Sequence, residues 1–136
     1  NWRETLAHAG MITMHPITPE QMESYLRGAR ARQARARQAA AARRARALEV
    51  ARAAARLLKA DFGATRVVLY GSTLDPERFG PRSDIDLAAL GIPPAAYWRA
   101  WGAIEQLAPD LEINLVAIET VKNSLLKHIN EQGLDL

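Results

Sequence analysis

The sequence contains no cysteine, which excludes disulfides and thiolate metal centres and suits a reducing compartment such as the cytoplasm. No stretch approaches the roughly 18 consecutive apolar residues that a membrane-spanning helix needs. The first 20 residues hold His8, His15 and three charges but no apolar core of the kind a secretory signal carries. Histidine is scarce as well. His8, His15 and His128 are too far apart to share a metal by spacing, and none stands near Ser72 in a pattern that would activate a hydroxyl. Aromatic residues are missing between Tyr25 and Phe62, which argues against base stacking anywhere in that span. Acidic residues are nearly missing from the same span, where Glu49 alone opposes ten arginines from Arg27 to Arg56.

Those ten arginines are most of the 18 basic residues, so the remainder of the chain carries eight basic against 14 acidic side chains. A length of 136 residues suits one compact domain. The chain is thus a basic arm on an acidic body. Residues 1–17, with Pro16 near their end, show no usable period and are read as an irregular lead-in. Thr18, Pro19, Glu20 and Gln21 form a helix start, in which Thr18 and Gln21 can cap each other and Pro19 suits the first helical position. Good helix formers follow to about Asp61, with Gly63 placed to end the helix. About 43 residues at 1.5 Å each predict a rod of about 65 Å over 18–62. Its last third, with Ala47, Val50, Ala54, Leu57 and Leu58 on one face, is expected to dock on a sheet. Between 30 and 46 only alanine offers apolar surface, too little to anchor a helix. That arginine-rich stretch has three readings: a solvated helix pairing with a second copy of itself, a surface for nucleic-acid phosphates, or a surface for an acidic protein partner.

Residues 63–136 read as a small α/β (α+β) sandwich with about three strands. Arg66–Tyr70 is a short β-branched run closed by Gly71, Ser72 and Thr73. Residues 75–83, containing Pro76, Gly80 and Pro81, form a loop. A second strand runs through Ile85, Leu87 and Ala89. Pro93 and Pro94 start a helix whose core face is Tyr97, Trp101, Ile104 and Ala108 and which Pro109 ends. Trp98 sits at the edge of that face, where packing is favoured over adenine stacking. Leu111–Ile118 is the third strand, and Thr120 is placed to cap a closing helix over Val121–Glu131.

Chemistry concentrates at Val67–Leu90. A strand stopping at Gly71 and Ser72 brings backbone and a hydroxyl close to a polyanion. Asp84 and Asp86, two apart on the next strand, point to one face and can share a divalent metal. Neither motif is specific alone. Their order, each with an apolar strand beside it and eleven residues between Ser72 and Asp84, is much more so.

With LYGS at 69–72, SDIDLA at 83–88 and EINLV at 112–116, the chain resembles the polymerase-beta-like nucleotidyltransferases, and among them the small antitoxin-type minimal nucleotidyltransferases. The resemblance covers about residues 48–136. It implies a palm-like fold, Mg²⁺ as cofactor and ATP as substrate. It further implies transfer of AMP to an acceptor hydroxyl, with a HEPN-type toxin as partner. Gly71, Ser72 and Thr73 then take the nucleotide, joined by Arg82 or Arg78 in place of a basic residue often found after the glycine and serine. Asp84 and Asp86 hold metal and serve catalysis. The family's third carboxylate falls where this chain has Asn114, so Glu112, two residues earlier on the same strand face, is expected to act as the third metal ligand and catalytic carboxylate. The alternative from the same residues is a binding module that has lost turnover and neutralises a partner protein or binds nucleic acid through the arginine-rich helix. A partner or second copy is expected to contact the 18–62 helix.

Overall fold

The capping pattern at Thr18 is formed as expected. In the computed structural model, which describes residues 16–136, the Thr18 N–H donates to Gln21 Oε1 at 2.9 Å and the Gln21 N–H donates to Thr18 Oγ1 at 3.1 Å. Helix α1 follows over Pro19–Phe62 and stops at Gly63, whose φ of +77° turns the backbone so that the Ala64 N–H returns to the Leu58 carbonyl at 3.0 Å. The lead-in expected before residue 18 lies almost wholly outside the described residues.

The chain comprises two compact units, Asn1–Ala36 and Arg37–Leu136. In the first, the described residues are helical from Pro19 onward, and Met22, Tyr25 and Leu26 are exposed. In the second, the remainder of α1 is followed by strand β1 (Arg66–Tyr70), a 3₁₀ turn (Ser72–Leu74), β2 (Ile85–Leu90), helix α2 (Tyr97–Glu105), β3 (Ile113–Ala117), helix α3 (Asn123–Gln132) and β4 (Leu134–Asp135). The sheet order is β3-β2-β1-β4, with β1 antiparallel to β2 and β4, and β2 parallel to β3.

Alternation along the strands divides the apolar residues between two layers. Val67, Leu69, Ile85, Leu87, Ala89, Ile113 and Leu115 pack with α1 and with Ala100 and Ile104 of α2. Val68 and Ala88 pack with Ile129 of α3 on the opposite face, where Tyr70 and Val116 border them. The contribution of α1 is almost entirely alanine: Ala47, Ala51, Ala54, Ala55 and Leu58 are buried, whereas Val50 and Leu57 are only partly so. Short side chains let the helix lie close to the sheet, so the docking face is centred one step round from the larger residues that hydrophobicity alone selects.

Four expectations change. A fourth strand, β4, lies beside β1, held by Arg66 Nε on Asp135 Oδ1 at 2.8 Å and by the Leu136 N–H on the Val67 carbonyl at 2.9 Å. Pro94–Ala96 form a 3₁₀ turn before α2, and α2 ends at Glu105, four residues short of Pro109. Thr120 belongs to a 3₁₀ turn, its hydroxyl donating to the Ala117 carbonyl at 3.4 Å, and does not cap α3, which starts at Asn123. Trp98 is 75% exposed, its ring stacked on Trp101 at 5.5 Å, because its partner supports one ring face and leaves the other open. No helix among the described residues is long and apolar enough to cross a membrane.

Candidate active site

The site grows from the end of β1. Tyr70 pairs with Asp86 across β1 and β2, so the chain leaving β1 at Gly71 passes directly beside the Asp86 carboxylate. Gly71 has φ 84° and ψ −157°, a conformation open to glycine alone, and a Cβ added there would stand 2.5 Å from Asp86 Oδ2. The glycine is therefore what allows the turn and the carboxylate to be neighbours. Ser72, half-buried, then opens the 3₁₀ turn, which is closed by the Leu74 N–H on the Gly71 carbonyl at 3.2 Å and the Asp75 N–H on the Ser72 carbonyl at 3.0 Å.

Thr73 is fully buried, and its hydroxyl donates to the Asp84 carbonyl at 3.2 Å. Its side chain thus ties the turn to the start of β2 and does not face solvent. Asp84 and Asp86 are both half-buried, and Asn114, the register partner of Asp86 on parallel β3, reaches both: its Nδ2 lies 3.4 Å from Asp84 Oδ2 and 3.4 Å from Asp86 Oδ1. Burial raises the Asp86 carboxyl above the usual range, the Asn114 hydrogen bond opposes that rise and the Asp84 charge adds to it. Burial, with the charge of Asp86 and neighbouring Tyr97, pushes the Tyr70 phenol up to about 12, so it remains a neutral donor beside the carboxylates.

Glu112 is not brought to this cluster. It precedes β3, its carbonyl accepts from the Ile85 N–H at 2.9 Å, and its exposed side chain borders a pocket with Glu105, Asp110 and Leu111. The physical reason is position. Asn114, one pleat further in, is the β3 residue in register with Asp86, and Glu112 lies at the mouth of the strand. Arg78 and Arg82 are exposed in the 75–83 loop, whose shape is set by Asp75 and Ser83 accepting the Glu77 and Gly80 N–H groups and by buried Phe79.

Arg44 of α1 stands on the far side of the turn, its Nε donating to the Thr73 carbonyl at 2.8 Å and its Nη2 to the Leu74 carbonyl at 3.3 Å. Nothing in the arginine run distinguishes this residue in sequence. Arg46, two positions on, makes a bidentate pair with exposed Asp110 instead.

The donor set fits one divalent cation better than two. Asp84 and Asp86 supply hard oxygens from one strand face, and Mg²⁺ is commonly held by one or two carboxylates with phosphate and water completing its shell. Asn114 can add a neutral amide oxygen if its carboxamide turns over. Among the described residues no group of three or more histidine, cysteine, aspartate or glutamate side chains stands together. Near the site, Val116 continues the sheet face of Asn114 into an apolar pocket of about 610 Å³ lined by Ile92, Tyr97, Trp98, Val121 and Leu125.

No protein-family model and no curated protein matches the sequence. Solved structures do. The chain resembles a chain of a variant MntA-HpeT toxin-antitoxin complex with TM-score 0.52 and 20% identity, covering 62% of this chain and 70% of that one. It resembles a toxin-antitoxin structure with AMP-PNP with TM-score 0.50 and 24% identity, covering 59% and 66%. A third match is to the tri-AMPylated Shewanella oneidensis HEPN toxin in complex with its MNT antitoxin, with TM-score 0.50, 20% identity and coverage of 65% and 70%. The chain has the fold of the minimal nucleotidyltransferase antitoxins, a mixed α+β sheet structure with a long N-terminal helix.

Proposed function

We propose that this chain binds ATP with Mg²⁺ and transfers AMP to a hydroxyl of a HEPN-type partner protein, acting as an antitoxin. The observation that carries the reading is the packing of Gly71 against the Asp86 carboxylate together with the Thr73 hydroxyl on the Asp84 carbonyl, which would set a phosphate-binding turn beside a cation site. It is supported by the fold shared with complexes in which a nucleotide analogue or an AMPylated toxin is present.

In this reading the Gly71 and Ser72 backbone admits the triphosphate, and the Ser72 hydroxyl donates to its oxygens. Asp84 and Asp86 would hold the cation, which would supply charge neutralisation at the phosphates; the acceptor oxygen bonds to the α-phosphorus, the bond to the bridging oxygen of the β-phosphate breaks, pyrophosphate leaves and the hydroxyl proton passes to solvent. Tyr70, neutral beside Asp86, offers a further donor. The acceptor hydroxyl in this reading belongs to the partner protein.

Asn114 favours a second reading. An amide adds no negative charge where a third carboxylate would hold the cation that activates the attacking hydroxyl, so the fold can bind nucleotide and partner without turnover. Incubation with α-labelled ATP, Mg²⁺ and a HEPN-type protein separates the two. Label on the partner, lost in Asp84→Ala/Asp86→Ala, is the expected result. A bound and inhibited partner that never takes label rejects transfer in favour of the binding module.

A further inference from the structure

We propose that Arg44 is a positioning residue of the nucleotide site, bracing the Ser72–Leu74 turn from α1 and, through Thr73, the start of the strand that carries Asp84 and Asp86. The inference rests on the nucleotide-binding reading of that turn.

A single 3₁₀ turn leaves the carbonyls at its C-terminal end without helical partners. Here Thr73 and Leu74 present two such carbonyls side by side, and one guanidinium takes both, at 2.8 and 3.3 Å. The planar fork of arginine suits two adjacent acceptors, and a charged donor makes these bonds stronger than neutral ones. Arg44 is half-buried, so water competes poorly for the same carbonyls.

The brace extends beyond the turn. Thr73 is a polar residue buried in the core, and it is held at both ends: its carbonyl by Arg44, its hydroxyl on the Asp84 carbonyl at 3.2 Å. Two residues before it, Gly71 lies so close to the Asp86 carboxylate that no side chain fits between them. A shift of Thr73 therefore moves the phosphate turn relative to both carboxylates. Two positions along the helix, Arg46 provides a contrast, since its guanidinium pairs with Asp110 at the exposed surface.

The test uses the full chain as wild type, Arg44→Ala, Arg44→Lys and Arg46→Ala. Three quantities are measured: amide hydrogen exchange of residues 72–75, affinity for a fluorescent ATP analogue with Mg²⁺, and thermal unfolding. Arg44→Ala is expected to speed exchange at 72–75 and weaken the analogue about tenfold, the scale of losing a charged hydrogen bond. Arg44→Lys, which keeps the charge without the fork, restores the affinity only in part. Arg46→Ala leaves exchange and affinity unchanged. Unaltered exchange and affinity in Arg44→Ala overturn the proposal, as do equal losses in Arg44→Ala and Arg46→Ala that simply follow unfolding temperature. Full rescue by lysine reduces the role to charge and overturns the brace. Wild-type protein that binds no nucleotide, while Arg44→Ala still loosens the turn, rejects the nucleotide reading and upholds the brace. If Arg44→Ala does not fold, Arg44→Gln, which retains the stem and one donor group, takes its place in the same measurements.

Discussion

Strands β2 and β3 run parallel and in register, yet they bring unequal chemistry to the same point. Asp86 on β2 faces Asn114 on β3, and Asp84 stands one pleat before Asp86. The β2 side is complete: two carboxylates, a glycine turn pressed against one of them and a buried threonine tying the two pieces together. The β3 side contributes a neutral amide that bonds both carboxylates at once. In the proposed function, binding of a phosphate-bearing ligand would depend on the first side, and activation of an acceptor hydroxyl more on the second. A chain can therefore keep the grip and lose part of the push.

The largest test of the β2 side is Gly71→Ala. A methyl group there meets Asp86 Oδ2, and the backbone at φ 84° and ψ −157° is foreign to alanine. Either the turn or the carboxylate must move. We expect nucleotide affinity to fall by about two orders of magnitude, the effect of a few kcal/mol of strain relayed to binding. Titration with a nucleotide analogue measures it, and retained affinity would separate the glycine from the site.

The β3 side is sharpened by Asn114→Asp and Glu112→Gln taken together. Adding a carboxylate opposite Asp86 gives the cation a third charged ligand, and transfer to a partner is expected to rise about tenfold, in keeping with the worth of a well-placed charge. Removing the Glu112 charge, exposed at the mouth of β3, is expected to change transfer less than about twofold, as surface substitutions usually do. Single-turnover transfer of labelled AMP measures both. A large loss in Glu112→Gln would return that carboxylate to the site; a loss in Asn114→Asp would mean that crowding three carboxylates outweighs the added charge.

How much of this was legible in the sequence depends on whether a residue's role is local. The strands, the glycine turn and the aspartate pair are local patterns, and each stands where alternation and turn chemistry put it. The capping of Thr18 by Gln21 is local too, and it forms. Roles set by tertiary neighbours were hidden. Arg44 looks like its nine companions until the turn is folded against it, and Ala51 and Ala55 look too small to dock a helix until the sheet closes on them. Strand β4 is two residues long, too short to show a period, and exists because β1 offers it an edge. Glu112 and Asn114 share a strand face, so alternation alone does not say which of them meets the aspartates. The folded side chains do: Asn114 Nδ2 reaches both aspartates, whereas the Glu112 side chain is exposed.

The smallest effect expected concerns stability rather than binding, and it reads the comparison from the side of cost. Asp86 is half-buried beside another carboxylate, the Asn114 amide softens its charge, and its carboxyl is raised above the usual range. A raised folded-state value means that its contribution to stability is full at pH below the unfolded carboxyl value, about 4, and is lost as pH rises through the folded value. At neutral pH the ionised carboxylate therefore weighs against the fold. Asp86→Asn removes that charge while keeping the shape, so the variant is expected to melt a few degrees above wild type at neutral pH. The difference should shrink as pH falls through the Asp86 value, where the wild-type carboxyl takes up its proton. Mg²⁺ should raise the wild-type melting temperature and leave the variant nearly unmoved, because the cation stabilises only the charged form. Thermal unfolding across this pH range, with and without Mg²⁺, decides the matter. A variant less stable than wild type at neutral pH would show that Asp86 holds the fold together through its contacts with Asn114 more than it strains it by its charge.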